Sequence, residues 1–361
     1  MNGIVKEIFM KHKLRVLHII NSHIYSGAEN VIISIMENTK DDIDTCYTSP
    51  VGSIKEVLSQ KGLNYIPIYA ENLSPKNIKR VIDQYRPDII HAHDFRAGIF
   101  SCMTMTSVPI INHLHNNSPW LKRYSIYTVL YAMCCCRLKK ILTVSNSVMD
   151  EFVFGRFFKS KIEVIGNPFD AEKIRFLSRV ADFHEPSDLI FVGRLTTQKN
   201  IFFFLDVVKM LKEQFPMLKV SVVGDGELRQ DFIKKIHEFH LSRNIKMYGF
   251  QKNPYGLLKN SSILCMPSRW EGFGLVAAEA LSLGVPVVCS GVGGLTDIVD
   301  NSCGKICGFD LAAYVNEIKE CLIDQGYYQN KSKIAIKRAE ELSNMKHYVN
   351  KIKNVYHDVL L

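Results

Sequence analysis

Residues 266–295 read MPSRWEGFGLVAAEALSLGVPVVCSGVGGL, and the rest of the chain makes sense around this stretch. An apolar strand over 263–266 stops at Pro267, and a polar loop carrying Trp270 follows. Glu271-Gly272-Phe273-Gly274 then opens a helix at Leu275 that is apolar on every side except for Ser282 and one acid, Glu279. The helix is expected to run over 275–283 and stop at Gly284, with Pro286 barring continuation and 285–289 forming the next strand. A helix that is hydrophobic all round is a buried one, so the carboxylate of Glu279 requires a hydrogen-bonding partner. Gly272 and Gly274 let backbone N–H groups approach a ligand at the positive end of the helix dipole, which makes an anion site. An anion at the loop and a hydroxyl-rich group at Glu279 together describe a nucleotide sugar.

At 361 residues, 47% hydrophobic and 22% charged, the chain is long enough for two domains with full cores. Mean hydropathy is near zero, and the longest membrane-like stretch, 124–136, is too short to span a bilayer. Lys11, Lys13 and Arg15 interrupt the first apolar residues, which excludes signal-peptide architecture and leads to an expected cytoplasmic location. Ten scattered cysteines, including Cys134, Cys135 and Cys136 in a row, fit a reducing compartment better than a disulfide framework. Cys303 and Cys307 have no second pair to complete a zinc site and read as small core residues.

The formal charge of +9 is unevenly placed: residues 1–180 carry 23 Lys+Arg against 16 Asp+Glu, and the remainder carries 22 against 20. An electropositive first half points to an anionic surface as partner. No nucleic-acid motif accompanies it, so the inner face of a membrane is expected, with no nucleic acid.

Both halves alternate short apolar strands with helices or loops, as in buried parallel sheets. In the first half the expected strands are 15–20, 44–48, 65–69, 88–92, 109–114, 140–144 and 162–165. In the second they are 189–192, 219–223, 245–248, 263–266 and 285–289. Ligands in such sheets sit beyond the carboxyl ends of the strands, where polar residues and glycines gather here. The stretch 175–188 loses periodicity, gathers charge and reads as an inter-domain linker. Residues 120–140 read as an aromatic-rich helix with basic residues at both ends, suited either to a membrane interface or to a core with a solvated rim. A last amphipathic helix is expected over 345–361.

The opening stretch resembles the E-x7-E segment of retaining glycosyltransferases of the GT-B fold, most closely family 4. Glu271 and Glu279 are the two acids, with GFG between them and Gly293-Gly294-Leu295 downstream. Further matches are Ser26-Gly27-Ala28-Glu29 with the family's GGAE loop, and Pro109 to His115 with its P-x5-H segment. His93-Asp94 resembles its H-x-H-D/N segment, Gly193-Arg194-Leu195 with Lys199 its G-R-L-x4-K element, and Gly224-Asp225-Gly226 its V-G-x-G turn. Gly249-Phe250 resembles the segment whose backbone pairs with the nucleotide base.

The resemblance implies an α/β chain of two Rossmann-like, doubly wound parallel-sheet domains facing a central cleft. Residues 1–178 would bind the acceptor, 179–344 the nucleotide sugar, and 345–361 would cross back onto the first domain. It implies contacts to the donor from Gly27, Gly193, Arg194, Lys199, Gly224, Gly226, Phe250, Glu271, Gly272, Phe273, Gly274, Leu275 and Glu279. His115 would lie beside the transferred sugar, so His115, Glu271, Arg194 and Lys199 form the expected catalytic set. No metal and no cofactor are expected.

A glycosidase-like pairing of the two glutamates is excluded by reach. Carboxylates flanking one anomeric carbon stand about 5–5.5 Å apart when one is the nucleophile. Eight positions at helical rise already separate Cα atoms by roughly 12 Å. The expected activity is retaining transfer of a hexose or N-acetylhexosamine from a nucleotide sugar, with UDP the default by family frequency. The acceptor would be a saccharide, lipid-linked, in capsule, exopolysaccharide or other surface-polysaccharide assembly. A nucleotide-sugar epimerase or hydrolase of the same fold, or a silent donor-binding partner subunit, is the alternative.

Overall fold

The computed structural model describes residues 13–22, 27–116, 118–182 and 185–361. The chain divides into two compact units, one of residues 1–168 with 346–361 and the other of residues 169–345.

Each unit is built on one all-parallel sheet. The first holds β1 (Leu14–Ile20), β2 (Ile43–Pro50), β3 (Tyr65–Ile68), β4 (Ile89–His93), β5 (Ile110–Leu114), β6 (Lys140–Thr143) and β7 (Ile162–Val164), in the order β3-β2-β1-β4-β5-β6-β7. The second holds β8 (Ser187–Val192), β9 (Val220–Val223), β10 (Ile245–Gly249), β11 (Ser261–Met266), β12 (Val287–Cys289) and β13 (Gly304–Ile306), in the order β10-β9-β8-β11-β12-β13. The same winding therefore occurs twice. The order reverses at β1/β4 in one unit and at β8/β11 in the other, where doubly wound sheets open a crevice at their carboxyl edge. Strands buried on both faces explain the unbroken apolar runs that replace alternation in the sequence.

Phe191 on β8 packs on Phe204 of the helix Ile201–Gln214, with Phe232 and Ile318 in the same buried cluster. Burying side chains of this size contributes about 1.5–3 kcal/mol each. In the first unit Ile20, Ile32, Ile33, Met36 and Tyr47 form the corresponding core under the helix Gly27–Thr39. The last helix, Met345–Asp358, buries Tyr348, Val349, Ile352, Val355 and Tyr356, and from Lys346 onward belongs to the first unit.

Two expectations need correction. Residues 175–188 are not a linker throughout: Ala171–Arg179 is a helix capped by Asp170, with Ala171, Ile174 and Ser178 buried, and it lies in the second unit. The change of unit falls at Pro168/Phe169, not at 178. Nine residues with few apolar positions give too weak a period to stand out among charges. The expected helix over 120–140 is shorter, Ile126–Arg137, entered through a Ser125/Thr128 capping box. It ends under Lys161, whose ammonium donates to the carbonyls of Cys135, Cys136 and Leu138 at 2.9, 2.8 and 2.8 Å. A cation on the last carbonyls is the favourable charge for that end.

Candidate active site

In the second unit the two strands at the reversal, β8 and β11, each release a loop at the carboxyl edge. From β8 come Gly193, Arg194, Gln198 and Lys199; from β11 come Ser268, Trp270 and Glu271. The loops are stitched together by Gln198, whose side-chain amide donates to the Trp270 carbonyl at 3.0 Å and whose carbonyl accepts from Arg269 N–H at 2.8 Å. Arg269 Nε also donates to Asn200 Oδ1 at 3.2 Å. Across this seam the Lys199 ammonium donates to Glu271 Oε1, which also accepts from Ser268 Oγ at 2.7 Å. Both charged side chains are largely buried, 14% and 8% exposed, so the pair is held in a low-dielectric setting. Arg194 is exposed, with Nη2 3.5 Å from Gln198 Oε1.

The helix after this loop, Leu275–Ser282, begins at Gly274, whose φ of +97° suits glycine. No side chain caps its first turn among the described residues. Its far end closes as a Schellman motif: Val285 N–H donates to Ala280 and Gly284 N–H to Leu281, both at 3.0 Å.

Glu279 is half-buried and accepts from Tyr255 Oη at 3.0 Å. Burial pushes its carboxyl up to about 7 against its ordinary 4.5, and the Tyr255 bond opposes the rise. With the folded-state value above the unfolded one, the folded protein binds the extra proton between these values. Stability is therefore lost as pH rises from about 4.5 through 7 and then levels off. Glu279→Gln is expected to flatten that segment of the stability–pH curve, measured by urea unfolding from pH 4.5 to 8. A variant that keeps the wild-type slope would assign the slope to another group.

The glycines of the V-G-x-G turn have a packing reason within the fold itself. A Cβ on Gly224 would lie 1.9 Å from the Gly193 carbonyl oxygen, and one on Gly226 2.5 Å from that of Leu195. They admit the neighbouring loop's backbone. Phe250, after β10, is 62% exposed, whereas Phe273 is buried. Gly27 is exposed at the start of its helix, and Ser26 lies outside the described residues.

The first unit gathers five histidines: His18 on β1, His91 and His93 on β4, His113 on β5 and His115 just beyond it. The parallel register pairs His18 with His91 and His93 with His113. All but His115 are fully buried, and His115 is half-buried. Burial lowers every one, His18 to about 3, while at His115 the Asn167 amide partly opposes a fall to about 4. His91 Nδ1 lies 2.8 Å from Tyr356 Oη, tying the last helix to the sheet. Two triads, His18/His91/His93 and His93/His113/His115, have ring nitrogens within 4.8 Å of one another, the composition of a metal site. Asp94 is a helix cap, accepting from Ala97 N–H at 2.7 Å and Asn21 N–H at 3.0 Å.

The structure thus brings Lys199, Glu271 and the start of the glutamate helix together at one edge, with Arg194 at its solvent side. His115 stands in the other unit. Ser268, Gln198 and Tyr255 bond expected site residues or their loops and were not singled out: Tyr255 lies 24 residues from Glu279, and Gln198 reaches across to the Trp270 carbonyl on the other loop, so spacing marks neither bond.

Residues 174–341 match the family described as glycosyl transferases group 1, and residues 48–173 match glycosyltransferase family 4. The chain is 25% identical to the UDP-Gal:alpha-D-GlcNAc-diphosphoundecaprenol alpha-1,3-galactosyltransferase of Escherichia coli, over 97% of this chain and 98% of that protein. It is 27% identical to the glycosyltransferase MJ1059 of Methanocaldococcus jannaschii, covering 58% of this chain and 57% of that one. The solved structure of Anabaena HepE in complex with UDP and glucose superposes with a TM-score of 0.82, at 20% identity, over 95% of this chain and 99% of that one. The two family matches meet at residues 173 and 174, each falling on one of the doubly wound sheets, and the chain belongs to the group 1, family 4 glycosyltransferases of the GT-B fold.

Proposed function

We propose that the protein transfers a hexose or N-acetylhexosamine from a UDP-sugar to a lipid-linked saccharide, with retention of configuration, in surface-polysaccharide assembly. The observation that carries the donor half is the Lys199–Glu271 pair at the β8/β11 reversal, beside a helix start without a side-chain cap. Lys199 and Arg194 hold the diphosphate, and the amides around Gly272 and Gly274 face the charge that develops as it departs. Glu271 binds hydroxyls of the transferred sugar, Glu279 accepts from the ribose, and His115 orients the sugar. The bond from the anomeric carbon to the diphosphate oxygen breaks with its electron pair going to that oxygen. The acceptor hydroxyl bonds to the same face of the carbon and gives its proton to the departing oxygen. No metal or cofactor enters this scheme. The donor class is tested by calorimetry with UDP-, GDP- and ADP-sugars. A ligand at 100 times its Kd stabilises the fold by about 2.7 kcal/mol, and a protein that binds none of the panel would end this reading.

The acceptor half rests on the first unit. Tyr124, Ile126, Tyr127 and Met133, on and beside the helix Ile126–Arg137, are 78, 69, 66 and 64% exposed, too much apolar surface in one place for a core helix. Lys122, Arg123, Arg137 and Lys139 flank it, so an anionic lipid surface complements both its apolar face and its charge. Tyr127 also lines a cavity of about 600 Å³ with Asp94, Arg96 and Trp120, which offers a saccharide head group a cation, a carboxylate and an aromatic face. No helix among the described residues is long and apolar enough to cross a membrane. Sedimentation with anionic vesicles is expected to carry the protein down at low salt, and Ile126→Glu with Met133→Glu to leave it in solution. Equal sedimentation of the variant would detach the helix from this role.

A further inference from the structure

Glu279 is the one acid on an apolar helix, and a phenol from a neighbouring helix sets how its carboxylate stands. Tyr255 Oη donates to Glu279 Oε1 at 3.0 Å. Glu279 Oε2 has no hydrogen-bond partner among the described residues, yet it is not sealed from solvent as the unpartnered His113 nitrogens are. A carboxylate has room for about four hydrogen bonds, so one place is taken and the others stay open. Tyr255 is itself fixed at the start of its helix, Tyr255–Lys259. Its N–H donates to Asn253 Oδ1 at 3.2 Å, and the Asn253 amide donates to the Leu177 carbonyl at 2.9 Å, on the helix Ala171–Arg179.

A tyrosine beside a carboxylate has two readings: relief of the cost of burial, or a contact that aims the acid at a ligand. If relief were the whole purpose, both oxygens would need partners, since an ionised carboxylate loses water at each. Only Oε1 is served, and Oε2 keeps its access. A donor on one oxygen fixes the plane of the group and leaves the other for a ligand. The open lone pairs suit a vicinal diol, whose two O–H groups can donate side by side to one carboxylate. Among the described residues, Tyr255 is the titratable group that acts on Glu279. The helices Ala171–Arg179, Leu295–Ile298 and Gln325–Leu342 and the strands β11 and β12, packed on the same helix, add no charge that shifts it.

We propose that Tyr255 is a positioning residue for the donor: its hydroxyl holds the Glu279 carboxylate so that Oε2 and the remaining lone pair of Oε1 accept from two ribose hydroxyls. This rests on the reading that Glu279 takes the ribose. The ionised acid is the form that accepts from both hydroxyls, and burial raises this carboxyl to about 7 while Tyr255 opposes the rise. Donor binding is therefore coupled to loss of that proton, and removing the phenolic O–H moves the coupling to higher pH.

The test is calorimetry of the full chain with UDP-glucose from pH 6 to 8.5, a range over which the ligand's diphosphate keeps the same charge. Wild-type affinity is expected to fall as pH drops below about 7. Tyr255→Phe keeps the ring's packing and removes only the O–H. Its Kd at pH 7 is expected to rise roughly three- to tenfold, the range of one hydrogen bond, and the midpoint of its pH dependence to move above that of the wild type. Glu279→Gln should bind more weakly with no pH dependence, and adding Tyr255→Phe to it should change nothing further. A Tyr255→Phe protein with wild-type Kd at pH 7 overturns the proposal. So does an unmoved midpoint, or a loss that simply adds to that of Glu279→Gln, since either would leave Tyr255 a packing residue. A wild-type chain that binds none of UDP-, GDP- and ADP-glucose ends the donor reading and this proposal with it, whereas binding that is indifferent to Tyr255 ends the proposal alone.

Discussion

Lys199→Ala is expected to lower kcat by roughly 100- to 1,000-fold, the usual loss when one group facing a developing anion is removed. It is also expected to cost about 3 kcal/mol of stability, because Glu271 then remains buried with its charge uncompensated. The two effects separate in a double variant. Adding Glu271→Gln removes the stranded charge, keeps an acceptor for Ser268 Oγ, and should restore most of the stability. It should restore none of the turnover, since the cation for the diphosphate is still missing. Steady-state kinetics and urea unfolding on the two single variants and the double one complete the cycle. Recovery of turnover in the double variant would mean that Lys199 serves only to neutralise Glu271.

Gly293→Ala is expected to be the most destabilising single methyl group in the second unit. A Cβ there would lie 1.7 Å from the Glu271 carbonyl oxygen and 2.7 Å from its carbon, and φ is +58°. Both neighbouring atoms are backbone, so no rotamer relieves the contact. The next residue adds a constraint, because Gly294 N–H donates to the Gly272 carbonyl at 3.0 Å. A loss of about 3 kcal/mol or more follows, or a Tm lower by roughly 6–12 °C for a unit of this size. Gly308→Ala is the control: its φ is +60°, but nothing lies within 4 Å of the added atom, so it carries only the left-handed backbone cost of about 1 kcal/mol. Equal melting of the two variants would show that the loop after β12 yields freely and does not hold Glu271.

The fold was legible because buried parallel strands announce themselves as apolar runs ending in glycine or polar residues. Twelve strands were expected and thirteen are present among the described residues. The thirteenth, Gly304–Ile306, is three residues between two cysteines, too short to carry a period. The segment 266–295 was readable to within two residues at its helix end, since Gly284 and Pro286 are both stop signals. Partners were less legible. Tyr255 precedes Glu279 by 24 residues, and nothing in their spacing marks the bond. His18 sits inside the apolar run LRVLHII and gives no sign that it meets His93, because that meeting is made by the sheet register. The exposed face of Ile126–Arg137 was ambiguous for a different reason: composition is the same whether an apolar helix is covered or bare.

The first unit is interrupted: its chain leaves at Pro168 and resumes only at Lys346. At synthesis rates of about 5–20 residues per second, some 10–35 s separate those two points on the ribosome. Throughout that interval the nascent seven-stranded layer lacks Ile352, Val355 and Tyr356, and His91 lacks its phenolic partner. The later-made unit is contiguous and can close unaided as soon as it emerges. The half begun first is therefore the one finished last.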